Sequence, residues 1–161
     1  MTDQSRIENA YLALQAALAT AASDEACVLP EPHRNAALVN ALDPTGAGLI
    51  GRAFLNVHDD DGQPIGGIAG GSDRGEQEFY QLARIEWAFE RKNDAERDRG
   101  FDAGMKAIAD ALMADTTLGG AVDDLEIQMP RRADLTLSGA PRIKAALIPV
   151  RLLITAPTYL G

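Results

Sequence analysis

The chain has 161 residues, 46% of them apolar and 24% charged, with aromatics at only 5%; a length of this order folds around one core, which must be mostly aliphatic and alanine. Acidic residues outnumber basic ones 24 to 15, and the net charge of -9 disfavours tight neutralisation of nucleic-acid phosphates while aiding solubility. A single cysteine, Cys27, excludes an intramolecular disulfide or cysteine zinc cluster and fits synthesis in a reducing cytoplasm; the polar start Thr2-Asp3-Gln4-Ser5-Arg6 lacks a secretory leader's pattern, and no apolar run nears the ~20 residues that span a bilayer.

Ser5-Arg6-Ile7-Glu8 reads as a capping box, the serine hydroxyl taking an early amide while Glu8 reaches back to the cap. Ile7, Tyr11, Leu14 and Leu18 follow at helical spacing, so a first helix is expected to end near Ala22. Prolines at 30, 32 and 44 make the stretch from Asp24 to Gly46 an irregular connection with room for one short strand around Ala36 to Val39. Leu49 to Val57 has strand character and offers Ile50, Phe54 and Val57 to a core. Asp59-Asp60-Asp61-Gly62-Gln63-Pro64 reads as a turn, because Asp-Gly supplies the positive φ of a tight reversal. The glycine-rich segment from Gly66 to Gly75 has few anchors and is expected to be a mobile loop or hairpin tip.

Phe79 to Glu90 fits two periods. Phe79, Leu82, Ala83 and Glu86 suit a helix, whereas Ala83, Ile85, Trp87 and Phe89 alternate with Arg84, Glu86 and Glu90. The alternation places every large apolar residue after Leu82 on one side, so a strand is expected. Asn93-Asp94-Ala95-Glu96 opens a second helix, its acids at the positive end of the helix dipole. Phe101, Met105, Ile108, Leu112 and Met113 form its stripe; about 20 residues would span some 30 Å before Thr116-Thr117 stops the helix and Gly119-Gly120 turns the chain. Ala121 to Met129 and Arg142 to Ala156 are the final strands. In the second, Ala146, Ile148, Val150, Leu152 and Ile154 make one apolar face and Leu147, Pro149, Arg151, Leu153 and Thr155 the other. Such a strand is sandwiched within its domain or partly buried against another subunit, and Pro149 marks an edge or a bulge. The expected fold class is α+β: one domain over residues 1–161, two helices packed on one face of a mixed, mainly antiparallel sheet of about four strands.

Residue types with chemistry lack the settings that chemistry needs. Gly66-Gly67-Ile68-Ala69-Gly70-Gly71 has neither the lysine nor the following helix of a phosphate-binding loop. His33 and His58 have no second histidine or cysteine nearby, and Asp59, Asp60 and Asp61 lack the spaced oxygens and closing glutamate of a calcium loop, so a solvated turn accounts for them. No serine sits in a nucleophile elbow, and Cys27 has no activating neighbour. Asp123, Asp124 and Glu126, or Glu86 and Glu90, could furnish an acid and base across strands, though acids on exposed strand faces are more often solvated charges. Trp87 reads as core packing under the second helix. Arg131 and Arg132 are exposed candidates for pairing with acids on a neighbour, or simply a soluble loop.

The order of parts, together with Arg34-Asn35-Ala36-Ala37-Leu38, Ala83-Arg84-Ile85-Glu86-Trp87, Ala111-Leu112-Met113-Ala114-Asp115-Thr116-Thr117-Leu118-Gly119-Gly120 and Lys144-Ala145-Ala146-Leu147-Ile148-Pro149-Val150, resembles the tail terminator (tail completion) proteins of long-tailed phages and gene transfer agents. The resemblance covers most of the chain as an overall pattern. It implies a structural, non-enzymatic virion protein at the head-tail junction, made in the host bacterial cytoplasm. Its partners would be copies of itself in a ring of six, the major tail tube protein, and the head-tail connector or stopper, with no cofactor, no metal and no membrane. DNA would pass through the ring without specific binding, which the acidic balance suits. A ring needs two different complementary patches per subunit; the candidates are Gly66, Gly67, Gly70, Gly71 and Arg74 around the glycine-rich segment, and Arg131, Arg132 and Arg151 by the final strand. Some relatives carry an acyl-CoA transferase label, so a small acyl-transfer enzyme is the first alternative and a monomeric ligand-binding module the second.

Overall fold

A computed structural model describes residues 4–21, 27–42, 48–65, 76–135 and 143–160. The Ser5 hydroxyl accepts from the Glu8 amide and starts α1, Arg6–Ala19, which buries Ala10, Tyr11, Leu14 and Leu18. The helix closes at Thr20, short of the expected Ala22, and the reciprocal half of the capping box is absent. Glu8 turns instead to the Arg34 guanidinium, whose two charge-assisted bonds outcompete one exposed amide. In place of a strand at 36–39 the chain forms β1, His33–Arg34, then a 3-10 turn at Leu38–Ala41 and a second at Ile50–Arg52. Ile50 stands 59% exposed on that turn, not in the core.

β2, Ala53–Pro64, runs straight through the expected Asp-Gly turn. It pairs antiparallel with β3, Gln77–Glu90, and the register slips so that Asp60 and Asp61 lie opposite Leu82 alone. The extra residue is absorbed as a bulge, and pairing with a 14-residue partner outweighs the local turn preference. The segment from Gly66 to Gly75, read as a loop, lies outside the described residues. β3 alternates as expected, placing Phe79, Ala83, Ile85, Trp87 and Phe89 inside.

Asn93 caps α2, Asp94–Ala114, by accepting from the Glu96 amide. Phe101, Ile108 and Leu112 are buried and Met105 half-buried, but Met113, at the far side of the last turn, is 59% exposed. Asp115 then accepts from Thr117 N, Thr117 Oγ1 and Gly119 N, with Leu118, Gly119 and Gly120 all at positive φ. β4, Asp124–Ile127, and β5, Arg131–Leu135, both pair antiparallel with β6, Ile143–Ala156.

The result is α+β, with six strands among the described residues where about four were expected: β1-β2-β3-β6-β4, β5 also lying on β6, and of these pairs only β1 and β2 parallel. The extra strands are β1 and β5, too short or too charged to stand out in sequence. Pro149 is not on an outer strand, since β6 has β3 on one flank and β4 with β5 on the other. Its carbonyl accepts from Gln128 N, in the gap between β4 and β5. Its missing N–H faces that same gap, where no ladder bond is lost.

Both helices cover one face. Tyr11, Leu14 and Leu18 from α1 and Phe101, Ile108 and Leu112 from α2 join Leu55, Val57, Ile85, Trp87, Ile148, Val150, Leu152 and Ile154 in the main core. A smaller cluster on the opposite face, Phe54, Ala88, Ile143 and Ala145, lies under Leu38, Leu42 and Leu49 and caps one end of the sheet.

Candidate functional site

Residues opposite one another in the ladders share a face, so register sorts the expected interface arginines. Arg131 is opposite Leu147, and Arg151 is opposite Leu82 and Glu126; both belong to the face the helices leave open. Arg132 is opposite Ala146, on the helix side, with its guanidinium 6.0 Å from the Phe101 ring centre and 3.9 Å from Asp102. Three candidates proposed together thus divide between two faces. Gly66, Gly67, Gly70, Gly71 and Arg74 lie outside the described residues.

The open face presents Tyr80, Leu82, Leu147, Pro149, Leu153 and Thr155, all half-buried. Arg151 lies over the Tyr80 ring at 5.3 Å and 3.7 Å from Glu126. Arg84 Nε pairs with Asp60 at 3.0 Å. His58 Nε2 lies 2.8 Å from Glu86 Oε2 and 2.9 Å from Asn56 Nδ2, while Asn56 is fixed by bonds in both directions with the Ala36 backbone. His58 and Asp59 therefore sit in an ordered ladder, not in the solvated turn expected of them.

The acids expected as solvated charges act as ties. Glu90 is 4% exposed and accepts from the Leu49 amide, holding the end cap to the sheet, so it makes no pair with Glu86. Asp123 accepts from Thr155 N and receives Arg6 at 3.4 Å. On the helix side Arg34 bridges Glu8 and Asp59, at 2.6 and 2.8 Å, and its hydrogen bond holds the Glu8 carboxyl below its usual value. Burial pushes Asp59 upward, but the bonds from Arg34 and Asn35 outweigh it and leave that carboxyl low as well. Burial raises the Tyr11 hydroxyl at the β2 bulge. None of these partners is close in sequence, and the contacts arise only once α1, the end cap and the strands are packed together.

Among the described residues no group of three or more His, Cys, Asp or Glu side chains is arranged to hold a metal ion, and no helix is long and apolar enough to cross a membrane. A cavity of about 150 Å³ opens at the outer end of β2, lined by Gly62, Gln63, Pro64, Phe79 and Tyr159. Ligand pockets for cofactor-sized molecules run to roughly 300 Å³ and more, so this one suits a single side chain. No protein-family model matches the chain, and no curated protein matches it.

Proposed function

We propose that this protein is a non-enzymatic assembly subunit of the tail-terminator kind: copies close into a ring, six by resemblance, that caps a phage or gene-transfer-agent tail tube, stops its growth and meets the head connector. The observation that carries the reading is the half-covered sheet. α1 and α2 seal one face, while on the other Leu82, Leu147, Pro149 and Leu153 remain half-exposed beyond the end cap, among Arg84, Arg131 and Arg151. An apolar ledge rimmed by charge is the make-up of surfaces that meet other proteins. The -9 net charge supports a lining past which DNA slides without sticking.

Electron microscopy of tails produced with and without the gene tests this. Overlong or headless tails in its absence are expected; normal particles would overturn the reading.

A further inference from the structure

The broken edge formed by β4 and β5 carries the most exposed large apolar side chain described, Met129 at 85%. It projects from the Gln128-Met129-Pro130 step that interrupts the edge opposite Pro149, so the break in the ladder presents it. Beside it stands Arg131, exposed and without an ion pair among the described residues. On the far side of the same sheet, with β6 and β3 in between and past the end of short β1, where β2 is the outermost described strand, lies the cavity of Gly62, Gln63, Pro64, Phe79 and Tyr159. Asp61, directly before Gly62 of its lining, is exposed and likewise without an ion pair among the described residues.

These two corners are complementary in shape, polarity and charge. An apolar cavity of about 150 Å³ holds a benzene-sized group, and a flexible thioether adapts to such a space while meeting the aromatic edges of Phe79 and Tyr159. A cation flanks the knob and an anion flanks the hole. Because they sit on opposite edges, one molecule cannot satisfy itself, and head-to-tail contact between copies is the arrangement that uses both. Edge-to-edge strand pairing is blocked on each side, by the bulge and Pro64 on β2 and by Pro130 between β4 and β5, leaving side chains to make the contact.

We propose that the ring contact inserts Met129 of one copy into the Gly62–Pro64, Phe79 and Tyr159 cavity of the next, with Arg131 against Asp61. The proposal rests on the ring reading above and adds the residues that close it.

Producing cells carrying Met129→Cys together with Gln63→Cys supply the test, read on purified particles by non-reducing gel. The two positions are separated by β3 and β6, too far for a disulfide within one chain. A ladder of linked copies ending at a closed oligomer is expected, and either single cysteine should give none. Charge reversal is the second arm: Arg131→Asp or Asp61→Arg should each lower particle yield by about tenfold, and the pair combined should regain it to within about threefold, as like charges repel and the swapped pair attracts. All four positions are exposed, and thermal unfolding of each variant confirms that it folds. Particles that contain the protein but show neither ladder nor rescue overturn this contact and leave the ring intact. Particles that lack the protein overturn the ring reading itself, and the contact with it. A cavity filled by a small apolar compound, with Met129→Ala harmless to assembly, also overturns the contact.

Discussion

Gly104 and Trp87 are matched to each other. The indole is fully buried, donates from Nε1 to the Phe101 carbonyl at 3.1 Å, and occupies the space where a Cβ on Gly104 would stand. The missing side chain lets α2 settle directly on the ring. Alanine is ordinarily better than glycine inside a helix by about 1 kcal/mol, but here its methyl would overlap ring atoms that cannot swing away. Gly104→Ala is therefore expected to lose about 1–3 kcal/mol net by urea unfolding, the cost of overpacking exceeding the gain in propensity. Gly104→Ala combined with Trp87→Phe should lose less than the sum of the two, because the smaller ring makes room for the methyl. Additive losses would mean that the two residues are not in the contact described.

At the level of elements, legibility followed the number of residues that agree. α1, α2 and β6 each repeat one period over many residues, and in β3 the alternation after Leu82 prevails over a competing helical period, so all four are expected close to where they lie. β2 was cut short because Asp61-Gly62 is a strong local turn signal, whereas the pairing that overrides it comes from β3, distant in sequence. The same blindness applies to the site. Arg131 and Arg132 are adjacent in sequence and so point to opposite faces, while His58 and Glu86 meet only because β2 and β3 pair in this register. The bulge itself is held from outside the sheet by Tyr11, whose hydroxyl donates to the Leu82 carbonyl at 2.7 Å and accepts from Gln81 Nε2 at 2.8 Å and Asp60 N at 3.1 Å. Tyr11→Phe keeps the ring in the core but strips these buried partners, so a loss of about 1–3 kcal/mol is expected. Faster amide exchange at Asp60 should accompany it; unchanged exchange would mean that β2 holds its bulge unaided.

Across the whole molecule, Arg34 joins parts that are otherwise separate: it sits on β1, grips Glu8 of α1 and Asp59 of β2, and lies 5.1 Å from the Tyr11 ring centre. Both carboxyls titrate below their ordinary values of 4.5 and 3.8, while the guanidinium is pushed upward by the same two bonds. A carboxyl lowered by folding adds stability that is complete above its unfolded value and lost as the pH falls through the lowered one. The network should thus support the fold fully at neutral pH and release it in the acid range beginning just under pH 4.5. Two opposing effects must be separated from it. Protonation relaxes the general repulsion of a chain at -9, and Asp98 and Asp115, lowered mainly by Lys144 and Thr117 respectively, lose their own support in the same range. Neither depends on Arg34, so the informative quantity is the difference between the parent and Arg34→Met, followed by thermal unfolding from neutral to acid pH. That difference should be largest at neutral pH and shrink as Glu8 and Asp59 take up protons; a constant gap would mean that Arg34 contributes by packing on Tyr11 rather than by holding two carboxylates.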